Sequence, residues 1–175
     1  MKSFILPFFF VFMILFSCRS KKKELNVKTK WSKGHSVNFN KELTIREEMQ
    51  IKFFLEHHNL LKMRLSESGL RYMIYKKGNN SETAKAGQNA SIKIQIKLLD
   101  GKICYETIED DYERFVIDKS EKETGIHELV KYMSIGDKAI AILPSHLGHG
   151  LLGDRENIPP QSVLFIDVEL INLEK

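Results

Sequence analysis

His146 and His149 are the first candidates for chemistry in this 175-residue sequence. They lie between two apolar runs, in the stretch Ile142–Leu170, which is unusually rich in glycine. Long loops of this kind often carry a binding site. Imidazole can ligate a metal, transfer a proton or donate a hydrogen bond. Because no third metal ligand stands at a suitable spacing, we favour a structural or pocket-lining role and expect no metal and no cofactor.

Three other groups of reactive residues could in principle form a hydrolase, calcium or histidine metal site, and the sequence favours none of these. Ser145 lacks the strand-turn-helix setting of a hydrolase nucleophile. The acidic residues Glu109–Asp111 are typical of a solvated loop, which we favour over a calcium site. His57 and His58 are adjacent and would face different directions on a helix, so a solvated helix end is favoured over metal binding.

Two predicted strands and one short helix would position the histidine loop. Lys138–Leu143 precedes the loop, and Val163–Leu173 follows it. The helix is predicted from apolar residues at helical spacing, with Thr124 as N-cap and Gly136 as its end; these residues are Ile126, Leu129, Val130 and Met133.

The remaining strands precede this helix. Ala90–Leu99 has isoleucine at every second position, the pattern of a strand with one buried face. Asp100-Gly101 predicts a turn to a returning strand, Ile103–Thr107. Further strands are predicted at Ser68–Tyr75 and Phe115–Ile117, with a turn at Gly78–Ser81. The element order indicates an α+β fold, in which an antiparallel sheet carries one helix on its concave face.

A second helix is predicted before the sheet, from Thr44 to Lys62. Thr44 and Glu47 fit a capping box, and apolar residues follow at helical spacing. The chain is predicted to divide into four parts. Residues 1–17 and 18–42 form an N-terminal signal and a tether, described next; residues 43–66 contain this helix, and residues 67–175 form the main domain.

The N-terminus resembles a bacterial lipoprotein signal. A basic start and an apolar run precede Leu15–Cys18, which is similar to a lipobox. Cys18 would then be lipidated; an ordinary signal peptide is the alternative. The next segment, residues 18–42, is polar and basic, which predicts a flexible tether. Because the basic excess lies on this tether, we expect no nucleic-acid partner. With Cys18 acylated, Cys104 has no disulfide partner within the monomer and is expected to be a small buried residue.

Several motifs then resemble the FKBP-type peptidyl-prolyl isomerases. Leu99–Lys102 is similar to the family's LxDGK, Leu129–Ala139 to GLxxMxxGxKA and Leu143–Gly150 to IPxxLAYG. Ile158–Leu170 is similar to IPPxxxLxFDVEL, and Gly69-Leu70 to the opening GL. The resemblance covers about Gly69 to Leu173 and extends to gliding-motility-associated lipoprotein isomerases. It implies an FKBP-like sheet around one short helix.

The resemblance also implies site residues, and at several of them this chain departs from the family. Where the family has aromatic residues around the proline ring, the sequence has Ile94, Ile126, His149 and Ile166, with Cys104-Tyr105 after the hairpin. By resemblance the catalytic residues are His149, Tyr105 and Ile158, the last through a free backbone N–H. A backbone N–H in residues 119–126 is the other donor considered. The expected substrate-binding residues are Ile94, Cys104, Phe115, Ile126, Leu147 and Ile166.

Two functions remain open from the sequence. One is a membrane-tethered isomerase that assists the folding of exported, proline-containing polypeptides. The other is a non-catalytic binding or chaperone lipoprotein with the same fold. In both, the anchor at Cys18 would hold the protein at the cell envelope. The absence of Asp directly after the cysteine favours the outer membrane, and the Lys-rich stretch without an acidic cluster favours its periplasmic face.

Overall fold

The structure is a computed structural model that describes residues 33–78, 82–108 and 111–175. The signal peptide, Cys18, most of the predicted tether, Asn79–Ser81 and Glu109-Asp110 lie outside the described residues. The elements in chain order are α1 (Lys33–His57), β1 (Arg64–Leu65), β2 (Arg71–Lys76), β3 (Asn89–Leu98), β4 (Ile103–Glu106), β5 (Glu113–Val116), α2 (Thr124–Lys131), β6 (Lys138–Leu143), a 3₁₀ turn (Ser145–Leu147) and β7 (Leu164–Glu174).

All seven strands form one antiparallel sheet in the order β1-β2-β6-β7-β3-β4, and β5 also pairs with β3. The long strand β3 pairs with β7 along its whole length. On its other edge, Asn89–Ile92 pairs with β5 and Gln95–Lys97 pairs with β4. The predicted α+β class and antiparallel sheet are confirmed.

The alternating pattern of β3 buries one face of the strand, as predicted. Ala90, Ile92, Ile94 and Ile96 are buried against the core, whereas Leu98 is only partly buried. On the same face, Ile126, Leu129 and Val130 of α2 join the core. Helix α2 therefore packs against one face of the sheet, as predicted.

Helix α1 packs against the opposite face of the sheet. Ile51 forms a second apolar cluster with Ile142 and Val163, and Phe54 and Phe165 pack against it. Phe54 and Phe165 have ring centroids 5.5 Å apart. Since residues at successive positions of a strand point to opposite faces, β6 and β7 are covered on both sides in this part of the sheet.

The bounds of α1 correct the sequence prediction. The helix begins at Lys33, so residues 33–42 are helical rather than a flexible tether, and it ends at His57 rather than Lys62. Thr44 lies inside the helix, where its Oγ1 donates to Asn40 O at 2.9 Å, and it is not the N-cap. The short strand β1 follows within the predicted helical segment 43–66 and was not foreseen.

The ends of α2 also differ from the prediction. Glu123, not Thr124, is the N-cap residue, and it makes no side-chain capping bond. The helix ends at Lys131, and the N–H groups of Tyr132 and Met133 close it by bonding three residues back. Gly136 comes later, in the turn before β6, with φ of 84°.

Within the described ranges, no helix is long and apolar enough to cross a membrane.

Candidate active site

The segment Pro144–Ser162, here called the site loop, carries His149 and follows β6 directly. It begins with the 3₁₀ turn, in which Leu147 N donates to Pro144 O. Ser145 O then accepts two hydrogen bonds, from Gly148 N at 3.0 Å and Gly150 N at 2.8 Å. These bonds hold the backbone on both sides of His149. Further along, Gln161 N donates to Gly150 O at 3.1 Å, which closes the loop on itself.

The segment between β5 and α2 forms the facing side of the site, and His127 fixes its shape. His127 is buried, and its Nδ1 accepts a hydrogen bond from Asp118 N at 3.0 Å. Its Nε2 lies 3.1 Å from Ser120 O, so the neutral tautomer with a proton on Nε2 satisfies both contacts. The imidazole also meets the Phe115 ring edge-on, with centroids 5.2 Å apart.

Gly125 allows α2 to begin directly against the site loop. A Cβ atom at this position would lie 2.6 Å from Leu143 Cδ2 and 3.1 Å from Leu147 O. A side chain is therefore excluded unless β6 and the 3₁₀ turn move apart. This close approach places the start of α2 next to the turn that leads to His149.

The six residues expected to bind substrate all belong to the main core cluster and are buried. Their exposure ranges from 0% for Ile126 and Ile166 to 9% for Cys104. They form part of the main core, and we call them the floor: Ile94, Cys104, Phe115, Ile126, Leu147 and Ile166. Cys104 is buried as expected, and burial raises the pKa of its thiol. All six are thus packed core residues with little exposed surface.

Four ionisable residues, each within four positions of a floor residue in the sequence, contact one another, and we call them the rim network: Glu113, Lys122, Glu123 and His149. Lys122 Nζ contacts the carboxylates of Glu113 and Glu123, the latter at 3.5 Å. His149 Nε2 lies 2.8 Å from Glu123 Oε1. These two atoms lack the alignment of a hydrogen bond, so their attraction depends on a protonated imidazole. Only 10% of the Glu123 side chain and 26% of the His149 side chain are exposed.

Asp154 organises the second half of the site loop. Its carboxylate accepts hydrogen bonds from Glu156 N, Asn157 N and Ile158 N at 2.8–3.0 Å, and also from the hydroxyl of Tyr105. Burial acts to raise the pKa of Asp154, but these four hydrogen bonds outweigh it and hold the pKa well below its usual range. The same bond to Asp154 raises the pKa of Tyr105.

These bonds correct the expectation that the backbone N–H of Ile158 is free, and they engage the Tyr105 hydroxyl; whether the three residues are catalytic stays a prediction. Ile158 N donates to Asp154 at 2.8 Å, and Ile158 is 2% exposed, so its N–H is not a free donor. The Tyr105 hydroxyl donates to the same carboxylate and is engaged in holding the loop. His149 is the member of the three whose side chain reaches the start of α2, at Glu123.

The structure offers a different backbone donor on the facing side. Glu123 N has no hydrogen-bond acceptor among the described residues, and it lies one residue before the first turn of α2. This position is within the segment 119–126 considered from the sequence. The N–H groups of Lys119, Ser120, Lys122 and Ile126 are occupied by backbone carbonyls.

Sequence reasoning missed several residues of the site. Leu151 and Leu152 are 48% and 65% exposed on the site loop, next to His149. The sequence did contain one sign of them, namely two consecutive leucines in a glycine-rich loop. The rim residues Glu113, Lys122 and Glu123 gave no such signal, because their pairing depends on segments that only the fold brings together.

The two histidines of the site loop contact different partners. His146 Nε2 contacts Ser68 O at 3.0 Å, on the side of β2, whereas His149 faces Glu123. No group of three or more His, Cys, Asp or Glu side chains in the described part of the chain could hold a metal ion. His57 and His58 contact carbonyls of the preceding helical turn, Phe53 O and Phe54 O, both at 2.8 Å.

Known proteins match this chain in sequence. Peptidyl-prolyl cis-trans isomerase FKBP11 of Bos taurus is 34% identical over 95 residues, which are 53% of this chain and 46% of that protein. Peptidyl-prolyl cis-trans isomerase FKBP9 of Homo sapiens is 30% identical over 101 residues, 57% of this chain and 18% of that protein. The matches thus span less than half of each relative's length.

Solved structures share the fold. The crystal structure of FkpA from Escherichia coli superposes with a TM-score of 0.65 at 23% identity, covering 80% of this chain and 64% of its own. A peptidyl-prolyl cis-trans isomerase from Pseudomonas syringae pv. tomato gives a TM-score of 0.62 at 20% identity, covering 73% and 92%. The family model described as FKBP-type peptidyl-prolyl cis-trans isomerase matches residues 80–171. With the sheet, the short helix and the site loop in the expected order, the chain belongs to the FKBP-type peptidyl-prolyl cis-trans isomerase family.

Proposed function

We propose that this protein catalyses cis-trans rotation of X-Pro peptide bonds in polypeptides. The observation that carries the proposal is the position of His149, which the site loop holds beside Glu123 at the start of α2. Membership of the isomerase family supports the same activity. The substrate would be a proline-containing polypeptide.

The chemistry needs an apolar surface and a few donors, and no bond is made or broken. The barrier of about 18–20 kcal/mol is the loss of amide resonance on twisting. Each tenfold acceleration requires about 1.4 kcal/mol of preferential binding to the twisted amide. The twisted amide is less dipolar than the planar one, so an apolar site favours it. Leu151 and Leu152 add exposed apolar surface on the site loop.

Two groups would orient the substrate. Glu123 N would donate to a substrate carbonyl from the start of α2, where it has no acceptor among the described residues. The His149 imidazole would be a second donor through Nδ1, since its Nε2 is buried 2.8 Å from the Glu123 carboxylate. A carbonyl bound between them would have a fixed orientation while the X-Pro bond rotates.

A refolding or protease-coupled assay tests this function directly. The compact unit Lys33–Lys175 would be assayed on X-Pro peptides with several residues at X. We expect isomerisation well above the uncatalysed rate, which corresponds to tens to hundreds of seconds. The control is the Gly125→Val variant, in which the added side chain would clash with Leu143 at the start of α2. Uncatalysed rates for the unaltered unit with every residue at X would refute the proposal.

A non-catalytic binding role is the second candidate, and the buried floor favours it. Ile126 and Ile166 are 0% exposed, and the N–H of Ile158 is bonded within the loop. Such a module would hold a proline-containing segment without accelerating its rotation. Peptide binding, measured by titration, with isomerisation at the background rate would select this role over catalysis.

The proposal places this activity at the cell envelope. Cys18 would carry the lipid, and the basic residues after it would serve as a tether on the outer membrane, facing the periplasm, where exported proteins fold. Metabolic labelling with a fatty acid tests the anchor. We expect label on the unaltered chain and none on Cys18→Ser; equal labelling of both would exclude Cys18 as the anchor.

A further inference from the structure

Helix α1 is hydrogen-bonded to both ends of the site loop. At the start of the loop, Ser145 N donates to Glu47 Oε2 at 3.1 Å. At the end of the loop, Arg46 Nη2 donates to Gln161 Oε1 at 3.2 Å. Two neighbouring residues of one helix therefore reach both ends of a long loop.

Apolar packing places the helix for these two bonds. Ile51 lies one turn after Glu47 and is fully buried against Ile142 and Val163. These two residues flank the site loop, one just before it and one just after it. The helix is thus docked on the two strands between which the loop extends.

Glu47 is an unusual residue to find in this interface. It is only 4% exposed, although most glutamates of soluble proteins lie at the surface. Its Oε2 accepts the Ser145 bond, and its Oε1 is buried without a hydrogen-bond partner in the described residues. Burial of a carboxylate with one oxygen unpaired is costly. The buried position of Glu47 brings its Oε2 within hydrogen-bond distance of Ser145 N.

Ser145 transmits this contact to His149. Its peptide N–H is held by Glu47, while its carbonyl accepts hydrogen bonds from Gly148 N and Gly150 N, the residues on either side of His149. A shift of Ser145 would therefore move both neighbours of the histidine together. We propose that Glu47 is a positioning residue, through which α1 sets the place of His149 in the site. The inference rests on the proposed isomerase function for its effect on rate.

Substitutions at Glu47 test this role. Glu47→Met keeps the length of the side chain and removes the acceptor, Glu47→Asp withdraws the carboxylate from Ser145, and Glu47→Gln keeps an acceptor oxygen. The matched control is Glu48→Gln, because Glu48 is next on the same helix but pairs with Arg71 at 2.6 Å and makes no bond to the loop. The measurements are isomerase kcat/KM and the nuclear magnetic resonance shifts of the His149 ring, with His127 as internal reference.

For Met and Asp at position 47 we expect kcat/KM to fall about tenfold, less than the roughly hundredfold cost of a 1 Å misplacement. The His149 ring signals should shift, while those of His127, held by Asp118 and Ser120, stay in place. Glu47→Gln should retain most of the activity, and Glu48→Gln all of it.

The two measurements separate this inference from the proposed function. If the unaltered protein is not an isomerase, the His149 shifts still test the positioning role. Folded Glu47→Met or Glu47→Asp protein with unchanged His149 signals would overturn the inference. So would an equal effect of Glu48→Gln, because it would show that any weakening of α1 suffices. If Glu47→Met does not fold, Glu47→Asp, which keeps the charge, decides the matter.

Discussion

The floor of the site and its rim network are held in place by different forces. The floor consists of apolar side chains with 0–9% exposure, packed within the main core. The rim is formed by Glu113, Lys122, Glu123 and His149, which contact one another across three segments of the chain. The floor is continuous with the core, so we expect it to determine stability. The rim is partly exposed, so we expect it to affect activity more than folding.

The largest expected effect comes from the floor, at Ile126. This side chain is fully buried under the site. Ile126→Ala would leave a cavity and should lower the free energy of unfolding by about 2–5 kcal/mol. Denaturant unfolding monitored by circular dichroism measures the change. Ile103→Ala is the control, because Ile103 is 50% exposed and should cost far less. Equal costs for the two variants would contradict the assignment of Ile126 to the core.

An intermediate effect is expected at the rim, in activity alone. His149→Ala removes a proposed donor and its contact with Glu123. We expect isomerisation to slow by about tenfold, equivalent to about 1.4 kcal/mol of transition-state stabilisation. The free energy of unfolding should stay within about 0.5 kcal/mol, as is usual for substitutions away from the core. His57→Ala, at the exposed end of α1, is the control and should change neither quantity. An unchanged rate in His149→Ala would remove the histidine from the mechanism.

The smallest effect is expected at Tyr105, and it depends on pH. Tyr105→Phe removes one of the four hydrogen bonds that keep the pKa of Asp154 below its ordinary 3.8. A carboxylate with a lowered pKa in the folded state stabilises the fold above its unfolded pKa, and this contribution is lost as the pH falls through the folded value. The variant should therefore have a slightly lower Tm at neutral pH.

Below pH 3.8 the Tm values of the unaltered protein and Tyr105→Phe should converge, since Asp154 becomes protonated in the unfolded chain and then in both folded proteins. Thermal unfolding across this range measures the convergence. A difference in Tm that grows on acidification would show that the Tyr105 bond does not stabilise the ionised carboxylate.

The elements with a clear apolar period were predicted well from the sequence. Isoleucine at every second position specified β3, and Lys138–Leu143 was predicted with the bounds that the structure has. The start of α1 was missed because residues 33–42 contain no apolar stripe. Leu43, Glu47 and Ile51 hold the helix by tertiary packing instead. Glu47 resembled a capping residue, although it bonds Ser145, which is 98 residues away in the chain.

The site was predicted only in part, for a related reason. Its apolar members follow strand and helix periods and could be placed by resemblance. The engagement of Ile158 N and the Tyr105 hydroxyl with Asp154 depends on the course of the site loop. Gly153, with φ of 65°, enables that course, because a Cβ atom there would lie 2.1 Å from Ile158 O. No periodic pattern in the sequence encodes such a contact.

The packing of α1 on the far face of the sheet has a practical consequence for expressing this protein. A fragment limited to the family match, residues 80–171, would lack α1 and leave Ile142, Val163 and Phe165 uncovered. Exposed apolar patches on a sheet favour aggregation. Such a fragment should be poorly soluble even if its sheet forms, whereas a chain that starts at Lys33 carries its own cover for that surface.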